Sequence, residues 1–547
     1  MRNFLLNRTP RFTAGLTLVL ILLAGSFLRL WNLGRTSFWV DEVNAFFAAK
    51  SWVASGKLAF PSGFIYDRAP LYTQLTGLIS KIIGAGETAT RLPAALFGIL
   101  CIGMAYLLAK ALFNRNTALI TAFFMAFSHF EVGWSRTAKM YTMLQFLTLA
   151  FLYAFARGFE PGNRGASPTR FRKWGPSAGW LALAGVLFLY AYGFVHNLIV
   201  LVLPGLVLYT LTMTLVRLVE GRGLIRFWNK YSAVSLTACA AVLAAWLILP
   251  SLRQKALYFF SYTPAWAEGA SSSQNRQFLV EFLLSSQRFP LAAFFFTGSL
   301  LLLTRRNKLG WFSWCCFFSS FFALTFMFTH RTPTYLFHVY PLFLAVAAFG
   351  FAIFVEQERA VLDRNPRFAK PWPKSGLIAA AFSVFIISPW LRITLHIPFF
   401  QDGISNMAVT SDEWREASRT LLQRKQPGDL VITSLPQVAL AYGLKSDFGL
   451  NMANLALTKV EKVLTPEGRY ADIYAGVTCI ETPDEFQKLV ESHARGWLAV
   501  TQFHLENDNY IPAAVRAALP RLFQSPEKTA NGTVLIYHWD RSPRGGS

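Results

Sequence analysis

Long runs of apolar residues alternate with short polar segments over the first 398 residues of the chain. Three of these runs, Phe12–Leu28, Trp180–Val195 and Leu291–Thr304, contain no charged residue. About 20 apolar residues are needed for a helix to span the hydrocarbon core of a bilayer. The pattern therefore predicts a mainly α, polytopic membrane protein.

The pattern changes after about residue 399, where short strand-like runs alternate with a helical segment. Pro427-Gly428-Asp429 predicts a turn that leads into a strand at Leu430–Thr433. Further along, a helix is predicted at Pro483–His493, and strands are predicted at Trp497–Thr501 and Thr533–Tyr537. Strands that alternate with helices favour a small α/β domain. We therefore predict a transmembrane catalytic domain at 1–398 and an extracytoplasmic α/β domain at 399–547.

The excess of basic residues lies in the apolar part of the chain. The sequence has 52 Lys and Arg against 29 Asp and Glu, a net charge of +23. Residues 399–547 hold 15 basic and 17 acidic residues, which leaves 37 and 12 for residues 1–398. The positive-inside rule explains basic loops of this kind, so we do not predict a nucleic-acid partner.

The basic clusters also predict the topology, with the N-terminus in the cytoplasm and the C-terminal part outside. The segment 70–84 is short and amphipathic, so we expect it to lie at the outer interface. About eleven spanning helices result, at 13–30, 92–109, 117–128, 141–156, 178–195, 198–216, 232–250, 282–304, 311–328, 336–355 and 376–397. We predict a multi-pass protein of the bacterial plasma (inner) membrane, with its active site on the extracytoplasmic face.

Asp41 and Glu42 are adjacent in the first outer loop, at the predicted start of an amphipathic helix. Carboxylates at a helix N-terminus are favoured by the helix dipole, which is a purely structural explanation. Carboxylates near a bilayer are costly, however, and tend to be functional. The pair is therefore the best candidate for a catalytic centre.

Basic side chains occur in other segments that the topology places on the same face. Arg68 follows Asp67 before a proline-started helix, where a surface ion pair is the alternative explanation. Arg136 and Lys139 stand three apart and could bind one anion or extend to lipid head groups. Arg331 follows His330 at another outer helix end. One acidic pair facing several cations could hold a phosphate leaving group near a general base.

Cysteine and histidine spacing gives no indication of a metal site. The five cysteines are scattered, and the sequence contains no CxxC motif. We therefore predict a protein without a metal or a cofactor.

A series of short motifs occurs in a fixed order along the chain: Leu28–Leu30, Gly34, Asp41-Glu42, Pro70–Tyr72, Arg91–Leu96 and Ser135–Tyr141. In order and spacing, these motifs resemble the GT-C membrane glycosyltransferases of the protein O-mannosyltransferase and aminoarabinose-transferase type. The resemblance is strongest over residues 20–150. It implies an inverting transfer of a hexose or pentose from a polyprenyl-phosphate-linked sugar to a lipid, glycan or protein acceptor outside the membrane.

The resemblance also implies roles for individual residues. Asp41 would deprotonate the acceptor and Glu42 would orient the site. The residues implied to contact the donor phosphate or the substrate are Arg68, Tyr72, Arg136, Lys139, Tyr141, His330 and Arg331. The chain departs from the pattern in having Ala69-Pro70 where many relatives have two prolines, and in lacking a second aspartate near Met140 or Tyr141. Two other functions remain open, a transporter or lipid flippase and a polysaccharide polymerase or ligase on a related scaffold.

Overall fold

The computed structural model describes residues 11–160, 176–219, 230–248, 278–285, 288–304, 309–329, 331–363, 412–450, 462–508 and 510–541, with a few isolated positions between these ranges. The predicted helix at 376–397 and the side chain of His330 lie outside the described residues.

The described part of the first 398 residues is helical. Its α-helices are α1 (Arg11–Leu30), α2 (Val40–Ser55), α3 (Pro70–Ile83), α4 (Glu87–Leu112), α5 (Arg115–Phe127), α6 (His129–Ser135), α7 (Tyr141–Phe159), α8 (Pro176–Phe194), α9 (Leu203–Val219), α10 (Lys230–Ile248), α11 (Phe278–Leu284), α12 (Phe289–Thr304), α13 (Gly310–Phe326), α14 (Pro333–Leu336) and α15 (Tyr340–Asp363). Short 3₁₀ helices at Asn197–Val202 and Phe337–Val339 precede α9 and α15. The mainly α class predicted from the apolar runs is confirmed.

Among the described residues, five helical segments are long and apolar enough to cross a membrane. They are Thr13–Leu30, Glu87–Leu112, Tyr141–Phe159, Asn197–Val216 and Pro333–Glu358. Three shorter apolar helices lie at Ala178–Phe194, Phe289–Thr304 and Gly310–Phe326. The total of about eleven spans stays a prediction. Helix α3 has 14 residues, about 21 Å at 1.5 Å per residue, and is too short to span a bilayer of about 30 Å.

The chain forms two compact units, which are described separately. The first contains Met1–Trp31, Ala94–Tyr262 and Ser271–Ile397, and the second contains Asn32–Pro93, Thr263–Ala270 and Pro398–Ser547. The predicted domain boundary between 398 and 399 stays a prediction. In the structure, residues 32–93 belong to the same compact unit as the C-terminal part.

Glycines allow close packing between helices of the first unit. Helix α15 packs against α5, α12 and α13. A Cβ atom on Gly298 of α12 would overlap the carbonyl oxygen of Val346 in α15, and one on Gly350 would lie 2.8 Å from the backbone nitrogen of Gly298. Small residues at such crossings let helix backbones approach closely, as is usual in membrane proteins.

The second unit contains a five-stranded mixed sheet in the order β2-β1-β5-β7-β6. Its strands are β1 (Leu430–Thr433), β2 (Phe448–Gly449), β5 (Arg495–Thr501), β6 (Glu527–Lys528) and β7 (Val534–Asp540), and a separate pair joins β3 (Lys462–Leu464) to β4 (Tyr470–Asp472). The helices are α16 (Trp414–Arg424), α17 (Pro436–Ala441), α18 (Pro483–Ser492), α19 (Gln502–Glu506) and α20 (Ala513–Leu522). Strands β1, β2 and β5 are parallel, whereas β7 runs antiparallel to β5 and β6. The predicted strands and helix are confirmed.

Alternate residues of the central strands face two different hydrophobic cores. On one face, Val431 and Trp497 pack with Trp414 of α16 and with Phe46 of α2. On the other face, strand residues such as Ile432 pack among side chains of the C-terminal part. The first core therefore joins α2, the helix with the acidic pair, to the C-terminal sheet.

Candidate active site

Helix α2 begins at the acidic pair, and its first turn separates the two carboxylates. Trp39 is the N-cap residue, and its backbone N–H donates to Oε2 of Glu42 at 3.0 Å. Glu42 therefore caps its own helix, as the third residue of a capping box does. Residues Glu42–Ala49 are all buried, so these two turns of the helix are enclosed on every face and do not form the predicted amphipathic helix.

Arg91 of α4 binds the buried carboxylate of Glu42 through two hydrogen bonds. Its Nε donates to Oε1 at 2.9 Å and its Nη2 donates to Oε2 at 2.7 Å. The same guanidinium donates to the carbonyls of Leu33, Thr36 and Ser37. A planar guanidinium with five donors suits this two-point recognition of a carboxylate. Arg91 thus ties the segment before α2 to the start of α4.

Asp41 lies in a different environment from its neighbour. Its side chain is partly exposed, whereas Glu42 is only 1% exposed. A side chain with access to solvent can also reach a substrate, and a carboxylate bound on both oxygens within a core cannot. Asp41 is therefore accessible to a substrate and Glu42 is not, although the two residues look alike in the sequence.

Arg68 and Tyr72 flank an unusual backbone position at the start of α3. Arg68 is exposed, while Ala69, the N-cap residue, has φ +46° and ψ +57°. Tyr72 is buried and its hydroxyl donates to the carbonyl of Thr90 at 3.0 Å. Burial and the nearby Glu42 carboxylate raise the pKa of Tyr72 well above its ordinary value. The phenol therefore keeps its proton, and Arg68 is the accessible cation of this segment.

In the first unit, Arg136 caps the end of α1. Its Nη1 donates to the carbonyls of Leu28, Arg29 and Trp31, the last at 2.6 Å. A cation at a helix C-terminus stabilises the exposed carbonyls and the helix dipole. Arg136 therefore stabilises the end of α1, independently of any contact with a phosphate.

Two further predicted residues stand close to Arg136 in the chain. Lys139 is partly buried, and Tyr141 begins α7 with its ring 5.0 Å from that of Trp134, edge to face. The Tyr141 ring also lies 6.0 Å from the imidazole of His196. Tyr141 is thus part of an aromatic cluster of the first unit.

Arg331 is buried in the first unit, with 7% of its surface exposed. Its Nε donates to the carbonyl of Thr325 at 2.8 Å and its Nη1 to that of Thr329. It therefore binds the chain at the end of α13. The predicted partner of this motif, His330, lies outside the described residues.

The first unit also buries a polar cluster around Glu131. Gln145 donates from Nε2 to Oε1 of Glu131 at 3.0 Å and to the carbonyl of Phe337 at 2.8 Å. Arg29, which is fully buried, donates to Ser135 Oγ and to the carbonyls of Met125 and Ala126. Burial raises the pKa of Glu131 to about 8, although the charge of Arg29 and the hydrogen bond from Gln145 act in the opposite direction. Glu131 therefore holds its proton at neutral pH.

The described residues contain no group of three or more His, Cys, Asp or Glu side chains that could hold a metal ion. Of the predicted site residues, Asp41, Glu42, Arg68 and Tyr72 lie in the second unit, and Arg136, Lys139, Tyr141 and Arg331 lie in the first.

Known proteins resemble both the sequence and the fold. Residues 67–244 match the family model described as dolichyl-phosphate-mannose-protein mannosyltransferase. Two relatives in Bacillus subtilis (strain 168) are the candidate mannosyltransferases YycA, 28% identical over 219 residues, and YkcB, 29% identical over 158 residues. These matches cover 39% and 27% of this chain, but only 29% and 21% of the two relatives. The chain thus spans less than a third of the length of the curated relatives it matches.

Solved structures match almost the whole chain. The apo crystal structure of ArnT from Cupriavidus metallidurans matches 98% of this chain and 100% of its own, with a TM-score of 0.57 at 16% identity. The chain has the GT-C fold. ArnT bound to undecaprenyl phosphate gives a TM-score of 0.55 over 98% of this chain and 100% of its own, at 16% identity. The oligosaccharyltransferase AglB from Archaeoglobus fulgidus, in complex with an inhibitory peptide and a dolichol-phosphate, gives 0.56 at 12% identity, over 96% of this chain and 74% of its own.

The GT-C fold and the family model confirm the resemblance predicted from the motifs. Two arginines near Asp41 are not predictable from the sequence. Arg91 belongs to a matching motif, but no local pattern indicates that Glu42 is its partner. Arg415 of α16 lies 374 positions after Asp41, in a part of the chain that the sequence predicts to be a separate domain.

Proposed function

We propose that the chain is an inverting membrane glycosyltransferase, which moves a sugar from a polyprenyl-phosphate donor to an acceptor on the extracytoplasmic face. Asp41 is the general base of this reaction, and Glu42 holds the helix that carries it. The GT-C fold supports the reaction class. The undecaprenyl phosphate in the ArnT complex and the dolichol-phosphate in the AglB complex support a lipid-phosphate donor.

The proposal rests on the different environments of Asp41 and Glu42. Both oxygens of Glu42 are engaged by Arg91 inside the core, whereas Asp41 is partly exposed one residue earlier. A general base must reach the proton that it removes, within about 2.6–3.2 Å of the donor atom. Between these two carboxylates, only Asp41 has that access.

The reaction transfers one proton, forms one bond to the anomeric carbon and breaks another. A hydroxyl or amine of the acceptor attacks the anomeric carbon from the face opposite the phosphate, while its proton passes to the Asp41 carboxylate. The bond between the anomeric carbon and the phosphate oxygen breaks, and the polyprenyl phosphate leaves with the electron pair. Cations that bind the departing phosphate lower the barrier, and our candidate in the compact unit that contains Asp41 is the exposed Arg68. Tyr72 supports the segment that carries Arg68, because its buried hydroxyl donates to the Thr90 carbonyl. Arg136, Lys139, Tyr141, His330 and Arg331 stay predicted substrate contacts that rest on the resemblance alone.

The test compares the wild type with Asp41→Asn in lipid vesicles that contain radiolabelled undecaprenyl-phosphate mannose or undecaprenyl-phosphate arabinose and a membrane extract as the acceptor source. Loss of the base should lower transfer by roughly 10²–10⁴-fold. The variant should elute as a folded protein and retain the same melting temperature, because Asn keeps the shape of the side chain. Wild-type turnover by a well-folded Asp41→Asn protein would refute the assignment.

The same vesicles separate the alternatives. Movement of the labelled lipid across the bilayer without a new covalent product would indicate a flippase. Transfer of sugar chains in place of single sugars would indicate a polymerase or ligase.

A further inference from the structure

The segment Gly34–Phe38 leads directly into the helix that carries Asp41, and it has no regular secondary structure. The backbone groups of such a segment need hydrogen-bond partners from elsewhere in the fold. Arg91 binds it through the carbonyls of Thr36 and Ser37. A second set of partners comes from the C-terminal α/β part of the same compact unit.

Arg415, in the first turn of α16, provides most of this second set. Its Nη1 donates to the carbonyl of Arg35 at 2.9 Å, and its Nη2 donates to those of Gly34 at 2.9 Å and Thr36 at 3.0 Å. The Thr36 carbonyl thus accepts from both Arg91 and Arg415, one bond for each of its lone pairs. Two arginines separated by more than 300 residues converge on one peptide group.

Further polar groups of the segment are bound by the Arg415 backbone and by other residues of the C-terminal part. Ser37 Oγ donates to Oε2 of Glu413 at 3.1 Å and accepts from the backbone N–H of Arg415 at 3.2 Å. The backbone N–H of Phe38 donates to the hydroxyl oxygen of Tyr442 at 2.6 Å. Every residue from Gly34 to Phe38 therefore makes at least one hydrogen bond to the C-terminal part.

Glu87, the first residue of α4, connects these groups. Its Oε1 accepts from Nη2 of Arg415 at 2.6 Å and from the Tyr442 hydroxyl at 2.7 Å. Burial, together with the charge of Glu87, raises the pKa of Tyr442 above its ordinary value, so its hydroxyl keeps the proton that it donates. A Cβ atom on Gly34 would overlap Thr88 Oγ1, so the segment also packs closely against α4. The segment is thus held by both α4 and α16.

This arrangement serves positioning as well as stability. The side chains of Arg415 and Glu87 are only 31% and 16% exposed, so their charge-assisted hydrogen bonds also contribute to stability. Hydrophobic packing independently joins α2 to the sheet through Phe46 and Trp414. The polar contacts, in contrast, are concentrated on Gly34–Phe38, which precede the N-cap residue Trp39, so they constrain where the first turn of α2 lies.

We propose that Arg415 is a positioning residue for the reaction, which fixes the segment Gly34–Phe38 from the C-terminal α/β part and so places the carboxylate of Asp41. This inference rests on the proposed function of Asp41. The C-terminal part is therefore a component of the active site and not only a cover over it. Tyr442 and Glu413 assist, because they bind the last two residues of the same segment.

The test measures the initial rates of sugar transfer in vesicles at varied donor concentration for Arg415→Ala and for Arg424→Ala. Arg424 lies on the same helix and pairs with Glu527 on the exposed surface, so it is a matched control. A misplaced base slows the chemical step, because a displacement of about 1 Å can cost about 10²-fold. We expect Arg415→Ala to lower kcat by about 10- to 100-fold with less than about a twofold change in KM, while Arg424→Ala stays within about twofold of the wild type.

Two further variants keep the test decisive if Arg415→Ala folds poorly. Tyr442→Phe removes only the hydroxyl, which binds both Phe38 and Glu87, and should speed amide hydrogen exchange in the peptide around residues 34–46 while lowering kcat. Arg415→Lys retains the charge toward Glu87 but not the fork of donors, and should restore activity only in part. Unchanged kcat in Arg415→Ala or in Tyr442→Phe would overturn the inference. Full activity of Asp41→Asn would instead overturn the proposed function, so the two failures are distinguishable.

Discussion

Glu42 and Arg91 form a two-point ion pair inside the second unit, with Nε to Oε1 at 2.9 Å and Nη2 to Oε2 at 2.7 Å. Their side chains are 2% and 3% exposed. The pair links the first turn of α2 to the first turns of α4, and Arg91 also binds carbonyls of the segment between α1 and α2. A carboxylate in this position supports the helix that carries Asp41 and is itself inaccessible from solvent.

Removal of either partner should destabilise the protein strongly. Arg91→Ala leaves the Glu42 carboxylate buried without its counter-charge, and such a loss typically costs about 3–5 kcal/mol. Melting of the purified protein in detergent, followed by tryptophan fluorescence, measures the effect. Glu42→Ala should cost a similar amount, because it leaves the buried guanidinium of Arg91 without its carboxylate.

The matched control for this prediction is the Arg424–Glu527 pair, whose side chains are 53% and 50% exposed. Solvent screens that pair, so Arg424→Ala should change stability by at most about 1 kcal/mol. Equal losses in Arg91→Ala and Arg424→Ala would contradict the structural role that we assign to the Glu42–Arg91 pair.

The sequence predicted those parts of the fold that depend on local pattern. Apolar runs marked the long helices, and the strand at Leu430–Thr433 was predicted to the residue. Partners far apart in the chain were not predictable, because nothing in the sequence around Glu42 or Arg415 specifies which groups meet them in the fold. The same reason explains why Asp41 and Glu42 looked equivalent in the sequence, since only the burial of Glu42 against Arg91 distinguishes them.

Ala69 has the left-handed backbone conformation that L-residues other than glycine rarely adopt, with φ +46°. The residue before a proline normally prefers extended backbone, so the position immediately before Pro70 is strained at a cost of order 1–3 kcal/mol. Ala69→Gly should relieve part of this strain and raise the melting temperature of the purified protein. A lower melting temperature for Ala69→Gly would contradict the strained conformation.

Ala69→Pro tests the same position in the opposite direction. A proline ring fixes φ near −65°, which is incompatible with the observed backbone. We expect Ala69→Pro to lower the melting temperature and the rate of sugar transfer, because Arg68 and Tyr72 lie on either side of the altered turn. Wild-type values for both quantities would show that the turn tolerates the backbone conformation that proline requires.

Glu131 should make the stability of the protein depend on pH. Its pKa is raised from 4.5 to about 8 in the folded protein by burial, so the folded state binds a proton that the unfolded state releases. The stability contributed by the neutral carboxyl is complete below about pH 4.5 and is lost as the pH rises to about 8. Melting temperatures between about pH 5 and about pH 8.5 should therefore fall more steeply for the wild type than for Glu131→Gln, which cannot ionise. Parallel curves for the two proteins would exclude a buried, protonated Glu131.

Two glycines of α4 should respond in opposite ways to the same substitution. A Cβ atom on Gly98 would overlap Ser135 Oγ and lie 2.7 Å from Ser135 Cβ, where Arg29 also binds, whereas Gly103 has nothing within 4 Å of its added Cβ. Gly98→Ala should therefore cost about 1–3 kcal/mol through overpacking. Gly103→Ala should be neutral or stabilising by up to about 1 kcal/mol, since alanine is the better helix former. Thermal melting of both variants in one detergent provides the comparison. Gly98→Ala should cost less in a Ser135→Gly background than in the wild type, because Ser135→Gly removes both clashing atoms; Ser135→Gly is itself destabilising, since it leaves the buried Nε of Arg29 without its acceptor. A Gly98→Ala protein as stable as Gly103→Ala would show that α4 does not approach α6 as closely as the structure indicates.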